Sequence, residues 1–204
     1  RERPFMWRFW RALPPRGRIG VMFNNWYTQP IRERVGKDSK KSELDQRLDE
    51  IRRFEAMLTR EGVLLVKFWF HLSKKSQEKR LKALEKNPET RWRVTDQEWK
   101  FFKQYDQFYK VSDRVLRETS TGEAPWIVVE GSDEYYRSLT VGKLLLAGLK
   151  DKLAAPTPEK ALARKVRKTA SAAPMLQMPI DGKNVLGALN FAQKVPKARY
   201  EREL

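Results

Sequence analysis

The sequence predicts an α/β fold, a parallel sheet with helices packed around it, on three observations. Ile19 to Phe23, Val63 to Val66 and Trp126 to Glu130 are short apolar runs, branched or aromatic, of strand length. The segments between them carry apolar residues at helical spacing. Parallel neighbours are reached only through long, right-handed crossover connections, and this alternation supplies them.

The elements follow in order. Phe5, Met6, Trp7, Phe9, Trp10 and Leu13 make a short aromatic helix that Pro14-Pro15 terminates. Arg16-Gly17 turns the chain into the first strand, which carries Asn24-Asn25-Trp26-Tyr27 at its carboxyl end. Arg32 to Lys41 is polar, basic and loop-like. Ser42 with Asp45 approximates a capping box, and Leu44, Leu48, Ile51, Met57 and Leu58 share one face of a helix ending before Gly62. Val63 to Val66 has the composition of a strand buried on both faces. Ser73 is an N-cap, with Gln77, Arg80, Leu81 and Leu84 continuing a helix that Asn87-Pro88 ends. Arg91-Trp92-Arg93 follows at once. Thr95 with Glu98 is a second capping box, opening a long helix whose apolar side is Trp99, Phe102, Tyr105, Tyr109 and Leu116. Gly122 to Pro125 turns into the third strand, and Tyr135 to Leu153 is a leucine-rich last helix. Beyond Leu153, the Ala-Pro-rich and basic stretch through Pro174 is a linker or extended arm, with a short apolar island at Val185 to Leu189. The expected organisation is one domain over residues 1–153 and a linker or arm over 154–204.

Composition narrows the partners. The 204 residues carry a formal net charge of +17, a field that concentrates polyanions: nucleic acid, anionic membrane or polyphosphate. The absence of cysteine rules out a disulfide scaffold and a thiolate metal site. No apolar run reaches the roughly 20 residues of a membrane span, so a cytoplasmic location is the default expectation. The chain opens on Arg1 rather than Met, which reads as a fragment of a larger protein.

Several motifs in order carry a family resemblance. They are Arg3-Pro4, Trp7 to Pro14, Arg16-Gly17, Phe23, Trp26-Tyr27 and Glu33-Arg34-Val35, then Lys67 to Ser73 with Gln77, Arg80, Pro88 and Arg91-Trp92, and finally Ala124-Pro125-Trp126, Val128-Val129-Glu130 and Asp133. Over roughly Arg3 to Leu153 the chain resembles the polyphosphate kinase 2 family. The tail, at Asn184-Val185-Leu186 and Tyr200 to Leu204, resembles the join between the tandem domains of polyphosphate:AMP phosphotransferases of that family.

The resemblance implies a three-layer, P-loop kinase-like parallel sheet with a helical lid over about residues 73–121, the N-terminal strand and phosphate loop being absent from this chain. It implies transfer of phosphate between inorganic polyphosphate and AMP or ADP, or their guanine counterparts, with Mg²⁺, in a homo-oligomer. Such transfer needs a glycine-rich loop with a lysine, a strand-end aspartate for the metal, and arginines to neutralise charge. The first part is missing: Gly36-Lys37, Gly142-Lys143 and Gly182-Lys183 all lack the glycine five residues earlier. The second is altered. The family's strand end reads Phe-Asp-Arg-Ser-Trp-Tyr, and its aspartate falls on Asn24, its arginine on Asn25 or within a shortened motif. A neutral amide is a poor substitute for a carboxylate at a hard dication. The third stands, with Arg80 and Arg91 as lid arginines and Lys67, Lys74, Lys75 and Arg93 as further phosphate-binding candidates.

Other candidates have plainer readings. His71, the single histidine, lacks a second ligand or nucleophile beside it and reads as packing. The Trp99–Tyr109 stripe reads as core, and Asp133-Glu134 as a helix start. The expectation is therefore a phosphotransferase family member that itself turns over poorly. The alternative is a non-catalytic polyphosphate-binding or structural domain. A nucleic-acid binder has only the charge in its favour, since no recognised nucleic-acid-binding signature is visible.

Overall fold

A computed structural model describes residues 3–154, 186 and 192–203. Its centre is a parallel pair, β1 (Lys67–His71) and β2 (Trp126–Glu130), in register from Lys67 opposite Trp126 to His71 opposite Glu130. Before β1 come α1 (Trp7–Ala12), α2 (Thr28–Gly36) and α3 (Lys41–Arg60). Between the strands lie α4 (Lys74–Lys86), a 3₁₀ turn at Arg91–Arg93, α5 (Asp96–Lys103) and α6 (Tyr105–Thr119). After β2 come α7 (Glu134–Ala154) and α8 (Lys197–Glu203).

The core is built by α2, α3 and α6, which pack on one another, together with α1. On α3 the buried residues Leu44, Leu48, Ile51, Glu55 and Leu58 recur at alternating steps of four and three, the seam expected of a helix facing its neighbours. They meet Val111, Val115 and Leu116 of α6, Phe9 of α1, Trp26, and Leu186 from the C-terminal region. Burying a Leu or Phe in such a cluster is worth about 1.5–3 kcal/mol per side chain.

Several expectations hold. Pro14 follows the end of α1 at Leu13, and Ser73 caps α4 by accepting the Ser76 amide at 3.1 Å. The residues of β2 and α7 are those expected to within one position.

Others are corrected. The parallel sheet has two strands among the described residues, not three. Ile19 to Phe23 forms no strand, and Ile19, Val21 and Phe23 are exposed; an apolar run becomes a strand only where a neighbour takes up its backbone groups. The second strand begins at Lys67 rather than Val63, and Val63 and Leu64 are exposed. Its partner sets that limit: β2 starts at Trp126, immediately after Pro125, whose nitrogen carries no hydrogen for a ladder.

The stretch from Arg32 is helical as far as Gly36, because Pro30, Ile31 and Val35 of α2 are buried. Lys37, left-handed at φ 66°, stops it. The cap of α3 is at Lys40, whose amide donates to the Glu43 carboxylate at 2.8 Å, not at Ser42. Thr95 does precede α5, although its hydroxyl makes no capping bond. The long aromatic helix breaks at Gln104, which lets Phe101 of α5 and Phe108 of α6 meet edge to face at 5.6 Å. The linker or arm expected over 154–204 lies outside the described residues, apart from Ala154, which ends α7, Leu186 and 192–203.

Candidate functional site

A buried charge pair organises the site. Glu55 of α3 and Lys67 at the start of β1 are 1% and 5% exposed, and Lys67 Nζ donates to Glu55 Oε2 at 2.7 Å. The remaining ammonium protons go to the Tyr27 hydroxyl at 3.2 Å and the Thr119 carbonyl at 2.8 Å. Three donors meet three acceptors. The other carboxylate oxygen of Glu55 accepts from Trp26 Nε1 at 2.9 Å and Tyr27 Oη at 2.6 Å. The faces of Tyr27 and Trp126 lie 5.5 and 5.1 Å from the ammonium, adding cation–π attraction. Burial lowers the Lys67 pKa and the Glu55 charge opposes it. Burial also pushes the Tyr27 hydroxyl well up, helped by Glu55.

This weld holds the segment just ahead of it. Asn25 Oδ1 accepts the Tyr27 amide at 3.0 Å, a turn that leads into α2. Asn24 and Asn25 then stand at the wall of a cleft of about 880 Å³ between α2 and the α5–α6 corner. Arg8, Arg32, Lys100 and Lys103 line it against the two carboxylates Glu33 and Asp38, so its balance is positive. Arg32 is held over the Phe101 ring at 5.1 Å.

The segment expected as a lid, about residues 73–121, folds as α4, the 3₁₀ turn, α5 and α6; Lys100 and Lys103 of α5 line that cleft, whereas the candidate cations Lys74, Lys75, Arg80, Arg91 and Arg93 do not. Lys75, Arg80, Arg91 and Arg93 are exposed. Arg93 lies 5.2 Å over Trp92, and Lys74 pairs with Asp106 at 2.6 Å. Lys67 is corrected out of the phosphate-facing set: it is buried and its ammonium is fully engaged. Asn24 and Asn25 follow an unpaired segment rather than a strand end.

At the carboxyl ends of the strands, His71 and Glu130 are both buried and in register. Glu130 accepts the Ser132 amide at 2.9 Å, and Asp133 caps α7 through the Tyr136 amide at 2.7 Å, as a helix start does. Burial depresses the His71 pKa, against the pull of Glu130. Among the described residues no three His, Asp or Glu side chains gather as a metal cluster, and no helix is long and apolar enough to cross a membrane. The carbonyls of Asn24 and Asn25 are neutral and Asn25 is already engaged, a donor set that does not fit Mg²⁺.

Sequence reasoning missed Glu55, and the signal was available. It occupies the apolar seam of α3, where an acid must be paired to be tolerated. Arg32, Lys100 and Lys103 had no comparable signal, because the corner at Gln104 brings them together.

The polyphosphate kinase 2 family model matches residues 1–156. The chain belongs to the polyphosphate kinase 2 family. A polyphosphate:AMP phosphotransferase of Pseudomonas aeruginosa is 48% identical over 203 residues, covering 100% of this chain and 39% of that protein. An AMP/ADP-polyphosphate phosphotransferase of Meiothermus ruber is 31% identical, over 78% of this chain and 60% of its own length. The crystal structure of polyphosphate kinase 2 from Arthrobacter aurescens superposes with a TM-score of 0.72 at 29% identity, covering 80% of this chain and 60% of that one. The chain thus spans less than two thirds of the length of these relatives.

Proposed function

We propose that this chain is the polyphosphate-holding part of a phosphotransferase that moves phosphate between inorganic polyphosphate and a nucleoside mono- or diphosphate. On its own it turns over weakly or not at all. The observation that carries this reading is the pair Asn24 and Asn25. They stand at a basic cleft where the resemblance places the family's aspartate.

The parts that remain are those for positioning and charge neutralisation, which carry most of the rate in phosphoryl transfer. Arg80, Arg91 and Arg93, with Lys74 and Lys75, are the lid cations in this reading. Lys67 serves instead to lock Tyr27, and through it the Asn24–Asn25 turn. The donor set at that turn, neutral amide oxygens with Asn25 already engaged, does not fit Mg²⁺. Kinship to the Pseudomonas aeruginosa protein favours AMP as the acceptor of the whole enzyme. The P-loop kinase-like three-layer arrangement, a cytoplasmic location and a homo-oligomer belong to the same proposal.

The test is nucleotide phosphorylation by the folded chain with Mg²⁺, polyphosphate and AMP or ADP, run beside a polyphosphate titration at several salt concentrations. The expected result is binding that weakens steeply with salt, as polyanion binding does, and little or no turnover. Robust turnover overturns the reading, and so does the absence of binding.

A further inference from the structure

The N-terminal helix presents a second basic concavity, apart from the lid. Met6 and Phe9 of the α1 region are buried, which turns Trp7, Arg8 and Arg11 outward. With Arg3 and Arg47 they line a hollow of about 630 Å³ that has four guanidinium groups and, among the described residues, no carboxylate in its wall. Three of the four guanidiniums are set on aromatic supports: Arg8 lies 4.6 Å over Phe9, Arg47 4.7 Å over Phe5, and Arg3 5.6 Å over Trp7. Arg47 also pairs with Glu50 at 3.1 Å, and Arg8 donates to Gln29 at 3.1 Å. Arginines stacked in this way lose less side-chain freedom on binding and keep their planar forks for phosphate oxygens. Arg8 and Gln29 line this hollow and the Asn24–Asn25 cleft alike, so the two run into one another.

We propose that the hollow on α1 is a binding track for a linear phosphate polyanion, which leads the chain of phosphates past Arg8 into the cleft. The proposal rests on the functional reading above and deepens it: it assigns the distal part of a long polyphosphate to Arg3, Arg8, Arg11 and Arg47. A short phosphate chain fills the cleft alone, whereas a long one also engages the track. Phe5 and Phe9 lie under guanidinium groups while Trp7 is 45% exposed, so binding of nucleic acid by base stacking is an outcome that the experiment separates from binding of polyphosphate.

The experiment measures affinity for tripolyphosphate and for long-chain polyphosphate as a function of salt. It compares the wild-type chain, Arg3→Gln/Arg11→Gln, and a charge-matched control, Arg60→Gln/Lys150→Gln, whose residues line neither hollow. Circular dichroism checks the fold of all three. Arg3 and Arg11 are exposed, so their loss spares the core. Expected for the track variant is unchanged tripolyphosphate binding and at least tenfold weaker long-chain binding. Its log K against log salt slope should flatten by about 1.4–1.8, the contribution of two phosphate contacts. Equal long-chain affinity and slope in variant and wild type overturn the track. So does an equal loss in the control pair, which would mean that net charge alone acts. Displacement of polyphosphate by an oligodeoxynucleotide at equal phosphate concentration overturns the assignment to polyphosphate. If the wild type binds tripolyphosphate but gains nothing from chain length, the track fails and the functional reading stands; if it binds neither, both fail.

Discussion

Lys67 and Lys74 are seven residues apart and do opposite work. Lys67 is buried beneath α3, with every ammonium proton given to Glu55, Tyr27 or Thr119. Lys74 opens α4 at the surface, paired with an Asp106 side chain that is itself 70% exposed. A charge in the first setting has no water to fall back on, so its partners become compulsory. A charge in the second keeps its hydration, and its ion pair is worth little. The comparison separates the part of the molecule that holds the site's shape from the part that is free to meet a polyanion.

The sharpest way to break this contrast is Glu55→Ala. It strands the Lys67 ammonium and releases Trp26 and Tyr27, and should cost about 3–5 kcal/mol in urea denaturation. Lys67→Met combined with Glu55→Gln should recover much of that loss, because both charges leave together. A cost below about 1 kcal/mol for the single variant would show that the pair is not the weld described here.

Ser73→Ala comes next. It removes the side-chain cap from α4 and should cost about 1 kcal/mol, with faster amide exchange in the first turn of α4 and none of the effect in α3.

A third prediction uses His71, which faces Glu130, Tyr105 and Tyr109. Its folded pKa lies below the unfolded value of about 6.5, so the unfolded chain binds the proton more readily. Stability should therefore fall as pH drops below about 6.5 and level off once the folded-state pKa is passed, with no pH dependence from this group above about 6.5. His71→Gln should lose that part of the acid dependence, and identical pH profiles for the two proteins would refute it.

The smallest effect belongs to Lys74→Ala, expected within about 0.5 kcal/mol of wild type in the same denaturation assay. In a polyphosphate titration, Arg80→Ala/Arg91→Ala should weaken binding several-fold with stability unchanged, which would complete the separation of shape from contact.

Much of this arrangement was legible in the chain. The proline stop after α1, the seam of α3, the Ser73 cap, β2 and α7 all rest on signals within a few residues of one another, and those local signals survived folding. The family wording was equally local, carried by short motifs in order along the chain. Helix α2 was not legible in this way: the residues from Arg32 read as loop, and burial of Ile31 and Val35 decided for a helix.

What the sequence by itself determined was therefore the identity and order of most helices, and the family. Only the tertiary structure decided where β1 begins, which depends on a partner strand 59 positions away in register. It alone decided that Lys67 is an internal strut rather than a phosphate ligand, since Glu55 and Thr119 reach it from other elements. It also brought Arg8, Arg32 and Lys103 to one cleft. The physical reason is the same in each case. Helix starts and stops are settled by neighbours along the chain, whereas the cost of burying a charge, or of leaving a strand unpaired, is settled by groups that only folding brings near.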